Sequence, residues 1–165
     1  MKATMGISSI RFATALVALA CWSESALAQD KLTPATHREL AAARAATARY
    51  HDVAQAEADG YVNINLSEAQ EGIHWVNMTL IEAQFNAAKP EVLLYAPVPG
   101  EQRLQLVGVE YLVRIALSAT APAGFAGSSD RWRQDEEGFG MWELAAWIWE
   151  HNPNGLFTFL NPRVP

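Results

Sequence analysis

Cysteine is almost missing from this chain: Cys21 is the single one, and it stands inside a segment that reads as an export signal. The part expected to survive processing therefore has no disulfide, no thiolate nucleophile and no thiolate metal ligand. Small secreted eukaryotic domains usually depend on disulfides, so their lack points to a bacterial periplasmic or secreted protein. Long apolar runs are equally scarce. The run from Phe12 to Trp22 is about half of the ~20 residues that a bilayer-spanning helix needs, and no permanent membrane anchor is expected. Positive charge is in short supply as well, with 12 Lys and Arg against 18 Asp and Glu, a formal net charge of -6. Removing Lys2 and Arg11 together with Glu24 makes the remainder more acidic. Such a surface repels phosphate backbones and anionic lipid, so nucleic acid is not an expected partner. The sequence also lacks a Gly-x-Ser-x-Gly elbow, a His-Glu-x-x-His helix and a phosphate-binding glycine loop. It thus offers no nucleophilic hydrolase, zinc protease or nucleotide signature, and assigns no catalytic residue, cofactor or metal-ligand set.

What is present begins with export. Lys2 and Arg11 precede the apolar run, and a polar stretch ends in Ala26-Leu27-Ala28, the order that a signal peptidase substrate requires. Residues 1–28 are read as a signal peptide cut before Gln29. The competing reading makes Cys21 the lipidated residue of a lipoprotein, but Ala18 stands where a lipobox usually has leucine. Residues 29–165 fit one globular domain, large enough to bury roughly 68% of its unfolded surface without staples.

Thr33-Pro34 opens a helical segment with proline in a tolerated first-turn position, and Thr36 with Glu39 matches a capping box. The chain is then alanine-rich as far as Asp59, with Gly60 as a left-handed stop, so one long helix is expected. Leu40, Ala43, Thr47, Tyr50 and Ala54 keep helical spacing, and their mostly small side chains suit close approach to a sheet. His37 and His51 are read as solvated helix residues. From Tyr61 the pattern turns to short β runs: 61–65, 73–77, 91–95 and 104–115. Pro97-Val98-Pro99-Gly100 supplies turn chemistry between the last two, which predicts an antiparallel hairpin. Residues 118–140 read as a long surface excursion carrying the acidic cluster Asp135-Glu136-Glu137. Met141 to Glu150 is preferred as a central strand over a helix, because both of its faces would be largely apolar. Leu156 to Leu160 would return as a last short segment. The fold class is therefore α+β: a long N-terminal helix packed on an antiparallel β-sheet in a single domain.

The segments 72–77, 90–95 and 106–111, with Trp147-Ile148-Trp149-Glu150-His151-Asn152-Pro153-Asn154-Gly155-Leu156-Phe157, together resemble a family of small bacterial exported proteins of unknown function. The Asn-Pro-x-Gly-x-Phe ending is the most specific part. The resemblance implies a compact domain outside the cytoplasm and no particular reaction. Members of that family often carry a histidine where this chain has Ala145, which weakens a metal reading here.

His74, between Gly72 and Trp75, is the leading candidate for a functional side chain, followed by Glu110 inside an apolar strand and His151 at the end of the tryptophan run. A carboxylate in such a strand either faces solvent or is buried with a partner. Trp75, Trp147 and Trp149 are candidates to line an apolar pocket around these polar handles, although such aromatics also serve as ordinary core. The expected function is that of a non-enzymatic protein binding a small apolar or amphipathic ligand in an aromatic-lined pocket near His74 and Glu110. The alternatives are a small enzyme with a His/Glu proton-transfer dyad and a weak divalent-metal binder. The dyad requires the two side chains to meet in a cleft.

Overall fold

The computed structural model describes residues 32–165 apart from 129 and 137; the signal segment, its cleavage point and Cys21 lie outside the described residues. Pro34 has no amide hydrogen to leave unsatisfied and a fixed φ, so the first helix begins there: α1 spans Pro34–Thr47. The cap is accordingly Thr33, whose hydroxyl accepts from the Thr36 amide at 3.2 Å, and not the expected Thr36. The Thr36 hydroxyl and the Glu39 carboxylate turn instead to the Ala126 carbonyl and amide, at 2.8 and 2.7 Å. They tie the helix start to the long excursion.

The expected single helix to Asp59 is interrupted. A 3-10 turn over Ala48–His51 follows α1, Asp52 is extended, and α2 covers Val53–Ala58. The sheet explains the break. The Tyr95 hydroxyl donates to the Tyr50 carbonyl at 2.6 Å, satisfying a group that a continuing helix would bond to its own next turn. The Asp52 carboxylate then caps the restart at the Ala54 amide. Gly60 stops α2 with φ +90, as expected.

Six strands follow: β1 Val62–Glu68, β2 Gly72–Val76, β3 Val92–Pro97, β4 Leu104–Arg114, β5 Arg133–Gln134 and β6 Met141–Ala146. They form one antiparallel sheet in the order β1-β2-β3-β4-β6-β5. The β3–β4 hairpin lies at its centre, as the sequence predicts, and the strand expected over Met141 to Glu150 is present but stops at Ala146. Residues 156–160 form turns and no further strand. Their polar groups bind locally instead: the Thr158 hydroxyl donates to the Gly155 carbonyl and accepts from the Asn152 amide. No helix of the described residues is long and apolar enough to cross a membrane.

Alternation divides the sheet into two faces. The helix face carries Trp75, Leu93, Tyr95, Val109, Tyr111, Leu144 and Ala146, packed against Leu40, Ala43 and Tyr50 of the helical layer and against Phe125 and Phe157. Edge-on ring contacts of Phe85 with Tyr111 and Phe125, at 4.6 and 4.8 Å between centroids, fill the middle. The opposite face carries Val76, Val92, Leu94, Ala96, Val107, Leu112 and Met141, partly covered by Trp147 and Val164. No helix among the described residues covers it, and it is called the open face below.

Glu91, just before β3, is buried, and its carboxylate accepts from the Leu112 amide at 2.9 Å. Burial is the main cause that pushes its pKa up to about 8, against the Leu112 amide, which favours the anion. The folded state then keeps a proton that the unfolded state has lost above the ordinary value of 4.5. Its contribution is complete below that value and is lost as pH rises through the folded pKa, at up to about 1.4 kcal/mol per pH unit. Glu91→Gln keeps an acceptor without the charge. Urea unfolding of both proteins between pH 5 and 8 is expected to show the variant gaining stability relative to the parent as pH rises. Parallel profiles would contradict the neutral, buried carboxyl.

Candidate functional site

β1 is an edge strand, and its register slips between Asn63 and Ser67, around Asn65, which adopts φ 59 with its amide held by the Asn63 side chain. An asparagine tolerates this left-handed geometry because its side chain bonds locally. The irregularity carries Ile64, Asn65 and Leu66 over the open face, where they form one wall of a cleft of about 550 Å³. Val76, Val92, Leu112 and Met141 supply the apolar floor, with Met78 and Phe139 exposed at the rim.

A buried polar cluster sits in this cleft. His74 and Glu110 come from β2 and β4, strands separated by β3, and share the open face by alternation. His74 Nε2 lies 3.5 Å from Glu110 Oε2, with both side chains almost wholly buried. Glu71, in the turn between β1 and β2, joins them. One ligand-capable atom from each of Glu71, His74 and Glu110 lies within 4.8 Å of the other two. Arg133 of β5 sits over the group: Nη2 is 3.3 Å from both Glu71 oxygens, and Nε is 3.1 Å from Glu143 Oε2 on β6. The Phe159 ring holds the guanidinium from the other side at 3.7 Å. Three carboxylates thus face two basic groups.

The electrostatics follow from this count. For His74, burial is the largest influence and opposes the cation, but Glu110, then Glu71 and the Leu66 backbone, together outweigh it and push the pKa up to about 9. Burial, aided by Glu110, raises Glu71 above the ordinary carboxyl range even though Arg133 and His74 pull it down. At neutral pH the His74 ring is therefore a cation facing Glu110. That makes it a poor general base and a capable proton donor or electrostatic anchor.

The six candidate residues do not converge. His74 and Glu110 meet, whereas Trp75 follows His74 in the strand, points to the helix face and packs on Tyr95 at 5.7 Å. Trp147 lies on the open face beyond β6, close to Gly108, with its indole N–H donating to the Thr158 carbonyl. Trp149 donates to Thr47 Oγ1 at 3.1 Å and meets the His51 ring at 4.5 Å. Trp147, Trp149 and the exposed His151 line a second cleft, of about 720 Å³, with His37, Arg44 and residues 152–156. The expected tryptophan lining of the His74 cleft is thus replaced by aliphatic and methionine side chains, with Phe139 the one Phe, Tyr or Trp lining it among the described residues. The sequence reading missed Glu71, Arg133 and Glu143. Only Glu143 had a usable signal, since it alternates onto one face with Met141 and Ala145. Ala145 pairs directly with Glu110 across β4 and β6.

No protein-family model, curated protein or solved structure matches the chain.

Proposed function

We propose that this is an exported bacterial protein that binds a small amphipathic ligand without transforming it, in the cleft on the open face of the sheet. The observation that carries the reading is a buried, charged Glu71–His74–Glu110–Arg133 group at one end of an otherwise apolar cleft with an open rim. Apolar walls favour burial of a hydrocarbon body, and a few convergent polar groups fix the orientation of a head. Ile64, Met78 and Phe139, exposed to 42%, 55% and 62%, are side chains that such a ligand would shield. The export assignment rests on the signal-like residues 1–28 and on the resemblance of the second half of the chain.

A proton-transfer enzyme is the second reading, favoured by the 3.5 Å approach of His74 to Glu110 in a cleft. The high pKa of His74 fits that role less well, because a base at neutral pH must give up its proton.

Native mass spectrometry with medium-chain alkanoates and alkylamines tests the binding reading. The expected result is one ligand per chain, with His74→Ala and Glu110→Ala each weakening retention at least tenfold. His151→Ala, in the other cleft, is expected to change nothing. Unchanged retention in both cleft variants would place binding elsewhere, and turnover of a bound probe would favour the enzyme.

A further inference from the structure

We propose that Glu71, His74 and Glu110 form a binding site for a first-row divalent metal ion, held by two carboxylates and one imidazole. The inference shares the cleft and the buried polar group of the preceding reading, but it stands or falls without an organic ligand.

The geometry fits a coordination shell better than a hydrogen-bond network. The 3.5 Å between His74 Nε2 and Glu110 Oε2 is longer than a normal hydrogen bond to a carboxylate. It is close to the edge of a tetrahedral shell, which is about 3.4 Å for metal bonds of about 2.1 Å. The full spread of 4.8 Å among the three donor atoms closes to that value with side-chain shifts of about 1 Å.

The chemistry of the donors agrees. One imidazole with two carboxylates is a borderline set that suits zinc, iron or manganese. Two of the three donors lie on β2 and β4, on either side of β3 in the sheet core, and Glu71 is fixed by Arg133, which itself is held between Glu143 and the Phe159 ring. Such an outer layer orients metal ligands. His74 is itself only 5% exposed, so the packing around its ring fixes the direction in which Nε2 faces the carboxylates. Three protein donors leave at least one coordination position, and the cleft opens beside them.

The test uses the protein stripped with EDTA and titrated with Zn²⁺ by calorimetry, with zinc-edge anomalous diffraction of the loaded protein. One ion per chain is expected, with its anomalous peak between Glu71, His74 and Glu110. Glu71→Gln, which keeps the size and hydrogen-bonding capacity of the buried side chain, is expected to weaken affinity at least tenfold and to abolish the Zn²⁺-induced rise in melting temperature. His51→Ala and His151→Ala are expected to bind like the parent. Absence of stoichiometric binding, a peak elsewhere, or undiminished affinity in Glu71→Gln would overturn the site. Retention of an alkanoate or alkylamine by the zinc-free protein would leave the binding reading intact in that case. Zinc bound at the site with no organic probe retained would do the reverse.

Discussion

Replacing Arg133 by methionine is expected to lower the unfolding free energy by about 3 kcal/mol in EDTA at neutral pH. The guanidinium is the shared counter-charge of Glu71 and Glu143, whose side chains are only 10% and 11% exposed. Removing one partner of a buried ion pair leaves an uncompensated charge and typically costs about 3–5 kcal/mol. Arg133 is itself 26% exposed, which places the effect at the lower end of that range. The control is the same substitution in a Glu71→Gln, Glu143→Gln background, where no buried charge is stranded and the cost is expected to fall to about 1 kcal/mol, the stem packing alone. Equal costs in both backgrounds, measured by urea unfolding, would show that the arginine acts through packing and that the cluster is not electrostatically coupled.

The second large effect is at Gly72, which lies between Glu71 and His74. Its φ is +91, and an added Cβ would sit 2.7 Å from the Tyr95 carbonyl of the neighbouring strand. That atom belongs to the central hairpin, so it has no flexible side chain to move aside. Gly72→Ala combines left-handed strain with this clash and is expected to cost about 3–4 kcal/mol. Gly100→Ala separates the two contributions. It shares the left-handed backbone, at φ +78, but has nothing within 4 Å of the added carbon, and its cost is expected to stay near 1–2 kcal/mol. Similar losses at the two positions would mean that β2 and β3 can move apart, and with them the placement of His74.

The elements that local chemistry dictates were legible in the sequence. Pro34 marks the helix start, Gly60 its end, and Pro97 to Gly100 the hairpin turn, because each rests on backbone properties of the residue itself. The apolar pattern over Met141 to Glu150 likewise gives an inner strand, which pairs with β4 on one side and the short edge strand β5 on the other but stops at Ala146. The break at Asp52 was not legible, since it depends on the Tyr95 hydroxyl, which bonds the Tyr50 carbonyl from 45 residues further along the sequence. The site divides in the same way. Its pairing of His74 with Glu110 follows from two titratable groups embedded in apolar strands. The separation of His74 from Trp75 was also available, because adjacent residues in a strand face opposite ways, and the expected aromatic pocket neglected it. Glu71 and Arg133 carry no such mark. One stands in the turn between β1 and β2 and the other in a two-residue strand at the opposite end of the strand order, so neither local pattern nor strand adjacency announces their contact.

The most direct test of the central claim, that the open-face cleft is where this protein binds, is amide chemical-shift mapping of the stripped protein titrated with a medium-chain alkanoate and, separately, with Zn²⁺. The account predicts that the largest shifts fall on Leu66, Glu71, His74, Glu110 and Leu112, with Zn²⁺ affecting the polar group and the alkanoate reaching Ile64 and Met141. Shifts centred on Trp149 to Leu156 in the other cleft, or none from either probe, would contradict it.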